Sequence, residues 1–344
     1  MFELFNPKWR IPFIAISRVT LVVSLLAMVL SAVLLVRPGL NFALDFTGGT
    51  VIELGFDEPA DLDRIREVLA DGGMDGAQVQ SFGSSRDVLI RMRPDAEPAA
   101  DADAAPADAA AGADAPAAAG AEAEPQAPAG LQQNAGERAH QLLTEAGLPA
   151  EVRRNESVGP QIGDELAEDG VIGIVFVLFG IMAYVAFRYE WRFGLAAIAG
   201  EVHDVLITAG FLALTQQEFD LQALAALLTV AGYSINDKIV IFDRIREMFR
   251  TTSRVTPGET IDNACSDTLS RTVITGVTTL MALTVLYFLG GESLRGFSLT
   301  LIVGIVVGTY SSVLFASPIL LHLGVTKQDL MPKMRDETEL ARRP

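Results

Sequence analysis

The chain has 344 residues, half of them hydrophobic, with 43 acidic against 26 basic side chains and a net charge of −17. Charged residues make up 20%, below the ~25% of soluble domains, so a purely soluble enzyme does not fit. The acidic excess repels phosphate and excludes a nucleic-acid-binding role, and the single cysteine, Cys265, excludes an intramolecular disulfide framework or a multi-Cys metal site.

The charge is unevenly placed. Residues 37–169 hold 26 of the acidic but only 9 of the basic residues, so the whole excess sits in that block. Around it lie six apolar runs of the ~20 residues that a helix needs to cross a ~30 Å hydrocarbon core. They fall at 13–36, 170–187, 193–215, 223–242, 268–289 and 297–321. The first follows Lys8 and Arg10 as a signal peptide would. Its apolar part exceeds the roughly 7 to 15 residues of an h-region and no clear A-x-A site follows, so it reads as an uncleaved anchor.

Basic residues orient the spans, because Lys and Arg in short loops stay on the cytoplasmic side. Lys8 and Arg10, then Arg188 and Arg192, then Arg244, Arg246, Arg250 and Arg254, then Lys327, Lys333, Arg335, Arg342 and Arg343 all fall on one side of a six-span topology. Both termini (1–12 and 323–344) are therefore expected in the cytoplasm, and residues 37–169 in the periplasm. Trp9, Tyr189 and Trp191 are expected at the cytoplasmic interface.

Within the acidic block, residues 51–56 read as a strand, 61–69 as an amphipathic helix, and 77–81 and 88–92 as strands. A helix over 131–146 and an extended segment at 151–154 complete the order β-α-β-β-α-β of a ferredoxin-like module. Residues 94–130 are almost entirely Ala, Pro, Asp, Glu and Gly, with too little apolar bulk to offset the entropy of ordering, and read as a disordered insertion.

Ionisable residues inside the apolar runs carry the chemistry, because a charge at the bilayer centre costs at least ~2.5 kcal/mol unless paired or hydrated. Asp237 in the fourth run precedes Arg244 by seven residues, about 10 Å inside the boundary at 1.5 Å per residue. Arg271, near the start of the fifth run, lies at comparable depth; the two fit either a static pair or a proton relay. Glu201, His203 and Asp204 interrupt the third run, and His203 suits either a buried polar contact or proton handling. With one His and no Cys beside these carboxylates, no metal site is expected, and no cofactor.

Two glycine-bearing stretches join the acidic block to the spans. Asp45-Phe46-Thr47-Gly48-Gly49-Thr50 suggests a sharp turn in which Asp45 or Thr47 bonds the backbone locally. It enters a strand and lacks Gly-Lys-Ser/Thr, which argues against a phosphate cradle. Val158-Gly159-Pro160-Gln161-Ile162-Gly163 reads as a connector ending in a helix start. Asp45, Gly48, Gly49, Gly159, Pro160 and Gly163 are the candidate hinges. Gly304 and Gly308 allow close helix packing.

With those two stretches, Gly232-Tyr233-Ser234-Ile235-Asn236-Asp237, Phe242-Asp243-Arg244-Ile245-Arg246-Glu247, Leu269-Ser270-Arg271-Thr272 and the run from Gly304 to Ser312 resemble the SecF family of the bacterial SecDF protein-export complex, within the resistance-nodulation-division superfamily. The resemblance covers nearly everything except 94–130. It implies a non-enzymatic subunit of the inner membrane that uses the proton-motive force to promote protein export. It also implies pairing with SecD beside the SecYEG channel, with YajC and YidC as further partners and unfolded secreted proteins as clients. Asp237 and Arg271 correspond to proton-pathway residues; Asn236, His203 and Asp204 complete the candidate pathway. Two departures stand out: Lys238 directly follows Asp237 where a small or polar residue is expected, and the Ala/Pro/Asp-rich insertion has no counterpart. Half of a proton-driven lipid or small-molecule exporter is the alternative, and would need an apolar pocket in the acidic domain. A membrane-anchored scaffold would need no proton flux through Asp237.

Overall fold

A computed structural model of the chain describes residues 10–74, 76–82, 84–92, 129–252 and 255–326. Lys8, Trp9, Arg254, the tail from 327 and most of the segment expected to be disordered lie outside the described residues; residues 129 and 130 begin a helix. The chain divides into two compact units, Phe42–Asp169 and a helical unit of Met1–Asn41 with Gly170–Pro344.

The first span, α1 (Phe13–Val36), is followed in the smaller unit by a short α2 (Leu44–Thr47), β1 (Gly49–Gly55), α3 (Leu62–Asp71), β2 (Gln78–Phe82), β3 (Ser84–Met92), α4 (Ala129–Glu145) and β4 (Glu151–Val158). The strands pair antiparallel in the order β2-β3-β1-β4, the sheet of a ferredoxin-like module. Strand alternation sends Ile52 and Leu54 of β1 and Val88, Ile90 and Met92 of β3 to one face. There they pack on Ile65 and Leu69 of α3 and Ala139 and Leu143 of α4. Val51 and Leu89 face the other way, against Leu44 of α2 and Val158. Asp61 caps α3 by accepting from the backbone N–H groups of Asp63 (3.1 Å) and Arg64 (3.2 Å), a device worth about 1 kcal/mol.

The expected turn at Thr47 is present. Its hydroxyl donates to the Ala43 carbonyl at 3.1 Å, and the chain then turns through Gly48 (φ +64°) and Gly49 (φ +110°), conformations that favour glycine. β4 runs on to Val158, with Gly49 opposite Val158 and Thr50 opposite Ser157, so the expected connector shrinks to Gly159. Pro160 opens α5 (Pro160–Arg188), where a missing N–H costs nothing. A Cβ on Gly163 would stand 2.8 Å from the Gly48 backbone nitrogen, so the two glycine stretches touch each other.

The helical unit continues with α6 (Trp191–Thr215), α7 (Leu221–Thr251), α8 (Pro257–Leu289), α9 (Glu292–Ser311), a π turn (Ser312–Ala316) and α10 (Ser317–His322). Among the described residues, six helical segments are long and apolar enough to cross a membrane, one for each apolar run of the sequence. α7 and α8 extend past those runs because their polar ends are tied together. Asp267 accepts from Arg244 and from Arg10, each at 2.6 Å, and Thr256 with Glu259 forms a capping box at the start of α8. At the start of α1, the Ile14 N–H donates to Asp262 at 2.8 Å.

Small residues bring the helices close, since packing rather than water exclusion holds spans together in lipid. A Cβ on Gly304 of α9 would come within 2.1 Å of Val230 on α7, and one on Gly210 of α6 within 2.3 Å of Ser31 on α1. The π turn has an identifiable cause. Pro318 cannot donate to the carbonyl four residues earlier, and Thr20 of α1 donates to that Leu314 carbonyl instead, at 3.0 Å.

Candidate functional site

The polar residues of α6 fall at helical spacing on its buried face: Gly200, Glu201, Asp204 and Thr208. α7 answers with Ser234 and Lys238, one turn apart and buried, and α9 with Ser311. Lys238 is fully buried. Its Nζ donates to Asp204 Oδ2 at 2.6 Å, to Ser234 Oγ at 2.5 Å and to Glu201 Oε2 at 3.3 Å. Asp204 Oδ2 also accepts from Ser311 (2.8 Å) and from the Ser234 hydroxyl. Glycines make the room. A Cβ on Gly200 would lie 2.5 Å from Lys238 Cε, and one on Gly308 would lie 2.7 Å from Ser234 Oγ.

His203 joins this cluster through Nδ1, 2.7 Å from Asp204 Oδ1. Asp204 accepts, so Nδ1 carries the proton, while Nε2 is buried without a hydrogen-bond partner. The ring stacks on Phe315 of the π turn at 4.3 Å, a location of the kind where π turns often mark functional sites. His203 therefore orients Asp204.

Asp237 lies about 100° around α7 from Lys238 and outside the cluster. It is 5% exposed, and its Oδ2 is buried with no hydrogen-bond partner. An unpaired oxygen of this kind costs about 1–3 kcal/mol. Arg271 does not face it in contact: the guanidinium is exposed and acts on the carboxylate through its charge alone. Asn236 is exposed as well, next to Gly232, whose missing Cβ would meet nothing within 4 Å.

The candidate pathway thus separates into a buried group (His203, Asp204), a buried carboxylate with a free oxygen (Asp237) and two outward residues (Asn236, Arg271). Lys238 does not bond Asp237; it binds two carboxylates of another helix, Asp204 and Glu201, while its charge acts on Asp237 from the next position of α7. The signal was available in part, because a lysine in an apolar run needs an acid, and Glu201 and Asp204 were the unpaired ones.

At the polar end of α7, Asp243 gathers the connector between α5 and α6. It accepts from the Tyr189 hydroxyl at 3.0 Å and from Arg188 at 3.2 Å. Burial, reinforced by the Asp243 carboxylate, pushes the Tyr189 phenol upward, so it stays a donor. Arg188 and Arg246 lie over its ring, at 5.1 and 5.3 Å from the centroid.

Six apolar helices around buried, paired charges, with one small α+β domain inserted after the first, define a multi-pass membrane protein built around an intramembrane ionic site. The family described as protein export membrane protein SecD/SecF, C-terminal, matches residues 138–326, and the SecD/SecF GG motif matches residues 33–60. The chain belongs to the SecD/SecF family. It is 42% identical to the protein translocase subunit SecF of Pseudomonas aeruginosa, covering 95% of this chain and 96% of that one. The SecF subunits of Vibrio alginolyticus (40%; 96% of each chain) and Escherichia coli O157:H7 (38%; 94% and 90%) are similar over nearly their full lengths. Among solved structures, SecDF from Thermus thermophilus, described as a translocon-associated membrane protein, superposes with a TM-score of 0.75 at 33% identity. That match covers 93% of this chain but 39% of the longer SecDF chain. A SecDF structure in a super-membrane-facing form gives a TM-score of 0.62 at 32% identity over 94% of this chain and 39% of that one.

Proposed function

We propose that the chain is an accessory subunit of the Sec translocase in the bacterial inner membrane, where it couples the proton-motive force to protein export. The observation that carries this reading is Asp237, a carboxylate held in a span with one oxygen unpartnered, in a chain whose relatives are translocase subunits. Such an oxygen gains a proton, and on losing it breaks only the O–H bond, with no hydrogen bond to a neighbour to give up. Both termini face the cytoplasm in this reading, and the ferredoxin-like domain lies in the periplasm, where it meets unfolded secreted proteins.

The partner on the membrane side is a SecD subunit, beside the SecYEG channel and with YajC and YidC in the wider assembly. Arg271 supports this, because a guanidinium exposed on an apolar helix is costly in lipid and needs a covering protein. The same demand arises on α7, where the exposed stripe is Ala225, Thr229, Gly232 and Asn236; lipid-facing α1 instead exposes Val19, Val22 and Leu26. Protonation of Asp237 removes its attraction for Arg271 and repacks the spans. The connectors at Gly48–Gly49 and Gly159–Gly163 pass that change to the domain. Most of the domain's described large apolar side chains are taken up by its own core, with Phe42 and Val152 exposed, which suits a protein client better than an apolar small molecule.

Asp237→Asn keeps the volume of the side chain but exchanges no proton. In vesicles holding the complete translocase, the variant is expected to lose gradient-stimulated export while co-purifying with SecD at the parental level. Undiminished stimulation at equal protein level overturns the reading.

A further inference from the structure

The cluster around Lys238 holds one cation and two carboxylates, and the two carboxylates are not treated alike. Asp204 accepts from four donors: Lys238, Ser234, Ser311 and His203 Nδ1. Glu201 has one contact, 3.3 Å from Lys238 to Oε2, and its Oε1 has no partner although the residue is 2% exposed. Donors on its oxygens are what hold a buried carboxylate ionised, and of the two acids in this cluster Asp204 has donors on both oxygens whereas Glu201 has one distant donor. With Lys238 charged and Asp204 its counter-ion, an ionised Glu201 leaves the cluster with a net negative charge away from water, whereas a protonated one leaves it neutral.

Among the described residues, no other charge bonds Glu201 to correct this balance. Lys238 is the cation of α7 that reaches Glu201, and on α6 its titratable neighbours are Asp204 and His203, whose Nδ1 is bonded to Asp204. α9 and the π turn offer the hydroxyls of Ser311 and Ser312, and Tyr310 is bonded to Ser24 and to the Thr20 carbonyl. α1 offers Ser17 and Ser24, with Arg18 turned outward, and His322 of α10 is bonded to the Pro318 carbonyl at 3.0 Å. Asp237 makes no bond to Lys238 and lies on another side of α7.

We infer that Glu201 is a second proton-binding site, separate from Asp237, whose ionisation redistributes Lys238 between two carboxylates. The step is a plain proton loss: the Glu201 O–H bond breaks, the proton leaves to water, and the electron pair stays on the carboxylate. Lys238 Nζ, already within reach of both acids, then moves toward Glu201 and loosens its hold on Asp204 Oδ2, which Ser234 and Ser311 share. Ser311 adjoins the π turn whose Phe315 rests on His203, so the change reaches α9 and α10. The inference deepens the proton-coupled reading and rests on it for its use in transport, but the protonation of Glu201 is measurable apart from any export.

Infrared difference spectra of the full chain, purified with its partner subunit in lipid vesicles and stepped between acidic and alkaline pH, report each buried acid through the carbonyl stretch of its protonated form. Two such bands are expected in the parent, one for each acid; the band that remains in Asp237→Asn is expected to be lost in Glu201→Gln and shifted in Glu201→Asp. A Glu201→Gln spectrum identical to the parent overturns the inference, as does an unshifted Glu201→Asp spectrum should Glu201→Gln fail to fold. Export by Asp237→Asn is read separately, so failure of the Glu201 site leaves the Asp237 reading untouched, and the reverse.

Discussion

Lys238 is the residue on which the intramembrane site turns, because its ammonium is fully buried and bonded to three side chains. Removing one partner of a buried ion pair strands the other charge, which costs about 3–5 kcal/mol. Lys238→Met, close in length and without charge, is therefore expected to lower the unfolding midpoint of the purified chain sharply. Adding Asp204→Asn and Glu201→Gln to it should recover most of the loss, since no ion is then stranded. A single variant as stable as the parent contradicts this account. At this scale the sequence showed which charged residues lie within apolar helices, and not which way they point. Asp237 falls within α7 and Arg271 within α8 as the apolar runs indicate. Which way each side chain points depends on how three helices cross. For that reason Arg271 turned outward, and Lys238 found its acids on α6, across a helix pair that no local pattern in α7 announces.

Helix contacts in this chain depend on glycines at the crossings. Gly304 meets Val230, and the added methyl of Gly304→Ala would stand 2.1 Å from a Val230 methyl, a clash that costs about 1–3 kcal/mol. Val230→Ala alone leaves a gap of about the same order of cost. Together the two changes exchange volume across one contact, and the double variant is expected to unfold closer to the parent than either single one in the same thermal melt. Additive losses would place the contact elsewhere. The strand and helix order of the ferredoxin-like domain was readable because β1 and β3 carry short β-branched and apolar runs, Val51-Ile52 with Leu54 and Val88-Leu89-Ile90, buried on both faces, and α3 has a helical apolar period. β4 was underestimated, and the cause is physical: it is an edge strand with six exposed residues in succession, so its pairing rests on backbone bonds to β1 and leaves no hydrophobic period. The connectors were read as loose for a similar reason. Glycine in a sequence signals freedom or close approach, and at Gly163 the backbone of Gly48 decides for close approach.

Over the whole molecule, counting apolar runs was enough to find six spans, because hydrocarbon thickness sets their length regardless of packing. The extensions of α7 and α8 escaped that count, since Arg244, Arg10 and Asp267 make them helical by ion pairing outside the apolar runs. What the apolar runs also conceal is which outer faces meet lipid and which meet protein. α1 exposes Val23 at 56%, a side chain at home in lipid, whereas α7 exposes the bare backbone of Gly232 between Thr229 and Asn236. A Cβ on Gly232 meets nothing within 4 Å, so Gly232→Leu gives the chain no internal clash and removes a poor helix former. If a SecD subunit covers this face, the added side chain pushes into a packed helix contact at about 1–3 kcal/mol, or at least about tenfold in affinity from the lower part of that range upward. Co-purification of SecD from membranes is then expected to fall about tenfold for Gly232→Leu and to stay at the parental level for Val23→Trp, with the thermal melt of the isolated chain unchanged in both. Equal recovery of SecD with Gly232→Leu would leave Arg271 and Asn236 facing something other than that subunit, and the partner assignment would have to be given up.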